Sequence, residues 1–95
     1  MKKDSAEFKR RIFDLMNGSL DLDKHPVPES EVVENEFKEG GVCGILYQEV
    51  YYANRRICEK LGVEEDPDVE IIIRNLLEIA EHQSFRMYDY GRSFS

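Results

Sequence analysis

Residues 66–91, DPDVEIIIRNLLEIAEHQSFRMYDYG, decide the fold of this 95-residue chain. Asp66 followed by Pro67 is the order in which helices begin, because the aspartate accepts hydrogen bonds from free N–H groups and proline lacks one. Gly91 is typical of a helix end. The spacing therefore predicts a long helix over 67–90, and its broad apolar face is typical of the central helix of a bundle. That face comprises Val69, Ile72, Ile73, Leu76, Leu77, Ile79, Ala80, Met87 and Tyr90.

A second amphipathic pattern lies near the N-terminus and predicts a short helix over 5–17. Asp4 or Ser5 can cap its start, and Gly18 can end it in the left-handed conformation. The following residues, 19–28, contain two prolines, which disfavour helix in the residues before them. We expect this stretch to be an ordered connector that crosses the bundle rather than a flexible linker.

Two further helices are predicted between the connector and the long helix. One is short, over 29–39, and the other runs over 43–61 and ends at Gly62. The pair Gly40-Gly41 separates them, although the apolar spacing also allows one continuous helix. Two adjacent glycines inside a helix cost about 2 kcal/mol relative to alanine, so we favour the break.

These four helices predict an all-α fold in one domain over residues 1–95. The expected architecture is a small bundle of four helices, two short and two long. The antiparallel third and fourth helices would form its spine.

The charge balance narrows the possible functions. The chain has 20 acidic and 13 basic residues, a net charge of −7. Direct nucleic-acid binding is not expected, because such binding depends on Lys and Arg displacing counterions. No apolar run approaches the length of about 20 residues that spans a membrane. We therefore expect a cytoplasmic protein in which Cys43 and Cys58 are reduced thiols.

No residue pattern of an enzyme or a metal site stands out. Glu78 and His82 lie one helical turn apart, but the additional ligands of a metal centre are missing from the pattern. Cys43 at a helix start is a possible nucleophile, although no sequence pattern places His25 or His82 beside it as a base. We expect a non-catalytic protein without metal or cofactor, and a thiol enzyme based on Cys43 is the distant alternative.

Large side chains outside the main apolar faces are the most informative feature. Extra apolar groups on a second face of a helix indicate contact with another chain, and tyrosine is favoured in such contacts. The candidate interface consists of Ile45, Glu49, Tyr52, Arg56, Ile71, Phe85 and Tyr88. The alternative is that these side chains pack under the connector and the C-terminal tail.

The sequence thus predicts a protein–protein interaction module that self-associates into a homo-oligomer or binds another protein. A second hypothesis is an acidic decoy that binds the basic surface of a nucleic-acid-handling protein, with carboxylates in place of phosphates. Its two acidic rows would be Glu29, Glu31, Glu34, Glu36 and Glu39, and Glu64, Glu65, Asp66, Asp68 and Glu70.

Overall fold

The computed structural model describes residues 5–95, and in that range it contains three α-helices and no β-strand. Helix α1 spans Ala6–Asn17, α2 spans Val42–Leu61 and α3 spans Pro67–Ser93. The all-α prediction is confirmed, whereas the prediction of four helices is wrong. Ser5 caps α1 by accepting a hydrogen bond from the Phe8 N–H. Asp4, the other predicted cap, lies outside the described residues.

The predicted helix over 29–39 is absent, and only a single 3-10 turn forms there, over Pro28–Glu31. The Asn35 side chain accepts a hydrogen bond from the Phe37 N–H at 2.9 Å, a local turn that competes with helix. Val32 is exposed, and Val33 and Phe37 are only half-buried, so the apolar face that could stabilise a short helix is small. Glu36 N–H donates instead to the Met16 carbonyl at 2.7 Å, which anchors the segment on α1 as a loop.

The loop then passes close to the start of α2. Gly40 has φ +82°, and the helix begins at Val42 after Gly41, so the favoured break at this glycine pair is found. The Gly44 N–H donates to the Glu36 carbonyl at 3.1 Å. A Cβ on Gly44 would lie 2.5 Å from the Lys38 carbonyl oxygen, so only glycine allows this close approach.

The start of α3 agrees with the sequence prediction, whereas its end does not. Asp66 Oδ1 accepts hydrogen bonds at 3.0 Å from the N–H groups of Asp68 and Val69, as its position predicted. At the other end Gly91 does not end the helix, because its φ is not positive and the helix continues to Ser93. The Phe94 N–H still donates to the Tyr90 carbonyl, so the hydrogen-bond pattern extends past the glycine.

Helix α1 packs against the C-terminal half of α3, and this is the most extensive packing between two helices in the described chain. Phe13 meets Phe85 edge to face, with ring centroids 5.3 Å apart. Phe8 lies beside Tyr88 with centroids 6.5 Å apart. Since residue 8 faces 88 and residue 13 faces 85, the two helices run antiparallel.

Ion pairs surround these rings. Lys9 Nζ lies 2.8 Å from Asp89 Oδ1, and Arg10 pairs with Glu81 while its guanidinium lies over the Phe85 ring. Such partly exposed pairs contribute up to about 1 kcal/mol each, so the aromatic contacts carry more of the docking energy.

Helices α2 and α3 are joined by the short segment 62–66 and form an antiparallel hairpin. Gly62 ends α2 at φ +71°, and its N–H donates to the Glu59 carbonyl. Helix α2 accompanies the N-terminal half of α3, and the two helices face each other across an open groove. The spine is therefore α3 alone, with α2 on one half and α1 on the other, rather than a closely packed pair of long helices.

The resulting shape is elongated, and few apolar side chains are fully buried. Among the described residues only Leu15 and Cys58 are buried apolar side chains. The radius of gyration is 16.3 Å, whereas a compact chain of this length has about 12 Å. The three helices are locally well specified, but they do not close around a common core.

Removing the Asp66 cap of α3 tests how much this local hydrogen bonding contributes to the free energy of unfolding. We expect Asp66→Ala to lower the free energy of unfolding by about 1 kcal/mol, because two N–H groups lose their acceptor. Asp66→Asn keeps an accepting oxygen and is the matched control. Urea denaturation of both variants at one protein concentration measures the effect. Equal losses for alanine and asparagine would show that the capping bonds do not stabilise the helix.

Candidate functional site

An open groove with an almost entirely apolar lining lies between α2 and α3 and is called here the hairpin groove. It has a volume of about 350 Å³. Its α2 wall is formed by Tyr47, Val50, Ala53, Asn54 and Ile57. Its α3 wall is formed by Val69, Ile72, Ile73, Leu76 and Leu77. Each set recurs every three or four residues, so the members of each wall share one face of their helix.

Apolar side chains continue from the groove along α3. Ile79, Met87 and Tyr90 follow Ile72 and Leu76 at helical spacing, and all of them are exposed. We call Ile79, Met87 and Tyr90 the α3 ridge. The ridge lies on a different side of α3 from Phe85 and Tyr88, which face α1, so α1 leaves it uncovered.

The accessible surface measures how much of the chain is left uncovered. It is 7632 Å², whereas a compact monomer of 11.2 kDa exposes about 5,700 Å². The excess of about 1,900 Å² falls within the range that each chain of an obligate dimer buries, about 1,000–2,500 Å². Twenty large apolar side chains of the described residues are exposed, which locates much of this excess on apolar groups.

A second depression lies on the other side of α2, where the loop over 37–40 meets the helix. It has a volume of about 640 Å³ and is lined by Ile45, Tyr51 and Tyr52, among others. Tyr51 and Tyr52 meet edge to face with centroids 5.5 Å apart. Two residues of the predicted interface, Ile45 and Tyr52, therefore lie together here, both exposed. We call this the aromatic depression.

The other predicted interface residues are distributed over both long helices. Glu49 and Arg56 are exposed on α2, and Ile71 is exposed on α3 outside both lining sets. Phe85 and Tyr88 are half-buried and pack on Phe13 and Phe8 of α1. The structure thus does not bring the seven residues together into one surface, and the role of each in an interface stays a prediction.

The α3 residues of the groove and the ridge were predicted to form the apolar face of a central helix, and the sequence analysis did not identify them as an exposed surface. Their helical spacing is the same whether the covering element belongs to this chain or to another. The available signal was the ratio of apolar faces to helices, because two broad faces on α2 and α3 exceed what one short helix can cover.

Two cysteines and the pair Glu78 and His82 are the side chains whose chemistry suits catalysis or metal binding. Cys58 is fully buried and its thiol donates to Asn54 Oδ1 at 3.4 Å, one turn earlier on α2. Cys43 is half-buried in the first turn of α2, and both thiols are free. His82 and Glu78 are exposed on α3. Within residues 5–95, no group of three or more His, Cys, Asp or Glu side chains is placed to hold a metal ion.

Some members of the two acidic rows interact within the chain. Glu29 lies 3.2 Å from Arg11 Nη1, and Glu34 lies 3.6 Å from Lys38 Nζ. Asp66 is the cap of α3. These contacts leave the second row, at the turn between α2 and α3, as the more concentrated exposed negative charge. None of the helices in the described part of the chain is long and apolar enough to cross a membrane.

Comparison with known proteins adds no relative: no family model, no curated protein and no solved structure matches this chain.

The contacts of Phe85 generate a prediction about α1. We expect Phe85→Ala to lower the free energy of unfolding by about 1–3 kcal/mol, less than for a fully buried ring, because the Phe13 and Arg10 contacts are lost. Hydrogen exchange of the α1 amides should become faster. The control is Phe94→Ala, which removes an exposed ring near the end of the chain. Unchanged exchange in α1 would show that Phe85 does not hold this helix.

Proposed function

We propose that this protein is a non-catalytic interaction module that self-associates through the hairpin groove and the α3 ridge. The observation that carries the proposal is the uncovered apolar surface of α2 and α3, in a chain that buries only Leu15 and Cys58 among its described apolar side chains. The proposed location is the cytoplasm, where Cys43 and Cys58 would remain reduced thiols.

Thermodynamics supports association over an isolated chain. Ordering each residue of a backbone costs about 1–2 kcal/mol of conformational entropy, and apolar burial is the main term that offsets it. Only two apolar side chains are fully covered and the other apolar burial in the chain is partial, so an intermolecular contact would add substantially to this favourable term. Covering about 1,000 Å² of apolar surface per chain would contribute about 25 kcal/mol by the usual area coefficient, before the cost of association.

The composition of the groove supports a helix face as its occupant. Nine of its ten lining residues are apolar or tyrosine, and the one amide, Asn54, already accepts a hydrogen bond from Cys58. The walls follow two helices along their length, which suits an amphipathic helix with anchors at helical spacing. The ridge on α3 of a second copy has this spacing, so the chain itself supplies a fitting partner.

Adjacent isoleucines on α3 provide a matched pair of variants. Ile72 is 58% exposed and lines the groove, whereas Ile71 is 44% exposed and does not. We expect Ile72→Glu to weaken self-association at least a hundredfold, because a carboxylate would be buried in an apolar contact. Ile71→Glu should change it less than threefold. Sedimentation equilibrium over nanomolar to micromolar concentration measures both.

Three outcomes of this experiment contradict the proposal or its placement. A wild-type chain that is folded and monomeric at every concentration would overturn self-association. Equal effects of Ile71→Glu and Ile72→Glu would remove the groove as the contact. Dissociation by Tyr52→Glu with an intact Ile72→Glu dimer would assign the contact to the aromatic depression. Circular dichroism of each variant separates loss of contact from loss of helix.

A further inference from the structure

The groove and the ridge occupy opposite halves of the same helix. The groove walls on α3 end at Leu77, whereas the ridge runs from Ile79 to Tyr90. This surface of the molecule is therefore concave along the hairpin groove and convex along the α3 ridge. Met87 is 73% exposed, which makes it the most prominent apolar side chain of the ridge.

This arrangement complements itself only when two copies run in opposite directions. A two-fold axis near Ile79 would place the ridge of each copy in the groove of the other, so that both contacts form at once. Symmetric dimers use this kind of pairing, in which one patch meets itself. A parallel pairing would place groove against groove and ridge against ridge, and neither groove would receive a ridge.

The charges along α3 favour the same direction. The turn before α3 and its first residues carry exposed carboxylates, among them Glu65, Asp68 and Glu70. In the C-terminal half Glu81 and Asp89 pair with Arg10 and Lys9 of α1.

The remaining charges of that half are cationic. Arg86 lies over the Tyr90 ring and its guanidinium donates to the Tyr90 hydroxyl at 2.7 Å, next to the ridge, and Arg92 lies in the last turn. Antiparallel copies bring these arginines towards the partner's carboxylates, whereas parallel copies bring like charges together.

The outer dimensions agree with a lateral arrangement. A compact protein of twice this length has a radius of gyration of about 16 Å, and the single chain already has 16.3 Å. A second copy therefore makes a compact particle only by lying alongside the first rather than by extending it.

We infer that the partner of the proposed self-association is a second copy in antiparallel orientation, with Met87 and Tyr90 of each chain in the hairpin groove of the other and with its arginines near the Glu64–Glu70 segment. This inference rests on the proposed function. It makes each groove incomplete without the partner, and it places α2 and α3 of both copies around one shared core of four helices.

Distance measurement between identical labels tests the orientation. A nitroxide is attached at Asp68→Cys in a Cys43→Ser, Cys58→Ala background whose dimerisation is first checked by sedimentation. With a two-fold axis near Ile79, the two labels are separated by about 33 Å along the helix axis, from the rise of 1.5 Å per residue. A parallel pair would hold them much closer, because the axes of adjacent helices are only about 8–10 Å apart. A label at Ala80→Cys, exposed on α3 near the axis but outside the groove and the ridge, gives a short distance in both arrangements and is the internal control.

The outcomes separate the orientation from self-association itself. A long distance at position 68 with a short one at 80 supports the inference. Short distances at both positions, or long distances at both, would overturn it while the dimer stands. A folded monomer would overturn the proposed function as well.

A second variant keeps the test independent of labels. Met87→Glu should weaken association at least tenfold, whereas Phe94→Glu, at a more exposed ring beyond the ridge, should leave it unchanged. Equal association of both variants would also overturn the inference.

Discussion

Apolar side chains of α2 and α3 lack a second layer of structure to pack against within the described part of the chain. The short helix α1 covers one side of the C-terminal half of α3, and the loop after it covers the start of α2. The hairpin groove and the α3 ridge stay in contact with solvent. Because burial of apolar surface is the dominant favourable term in folding, this exposure constrains what the molecule can be. Its stability and its proposed role depend on the same surface.

The position of α1 divides the surfaces of α3 between internal and external contacts. Phe13 and Phe8 occupy the side of α3 that bears Phe85 and Tyr88, so these rings are used within the chain. The same docking pairs Asp89 and Glu81 with Lys9 and Arg10. These ion pairs thus compensate the acidic charge in the C-terminal half of α3. The ridge beside them is apolar and flanked by arginine. One short helix thereby sets both the shape and the charge of the surface next to it.

Local signals in the sequence predicted the elements whose ends are fixed by backbone chemistry. Asp66 and Gly62 mark the turn of the hairpin because a cap and a left-handed glycine act within a few residues, independently of the rest of the fold. The prediction that Gly91 ends α3 was wrong, because Gly91 does not adopt the positive φ with which a glycine ends a helix. The prediction of a helix over 29–39 was wrong as well, since Asn35 forms a local turn and Phe37 packs on Tyr47 from a loop.

The candidate site was less accessible to sequence reasoning, for a physical reason. Helical spacing reports that a face is apolar, but it does not report which chain covers that face. Phe85 and Tyr88 were predicted to face a partner, and they lie against Phe8 and Phe13 of α1. Ile72 and Leu76 were predicted to face the core, and they line an open groove. The missing helix at 29–39 is the error in the predicted fold, and within the described residues the groove stays open between α2 and α3.

Folding and association are consequently linked in the proposed dimer. Caps and turns specify where each helix begins and ends, but such local terms contribute about 1 kcal/mol each and cannot hold three helices in place alone. A partner that binds only the folded chain stabilises it by mass action, so the apparent stability rises with protein concentration. The exposed groove is on this view the unfilled part of a core, and the second copy completes the fold and forms the assembly in one step.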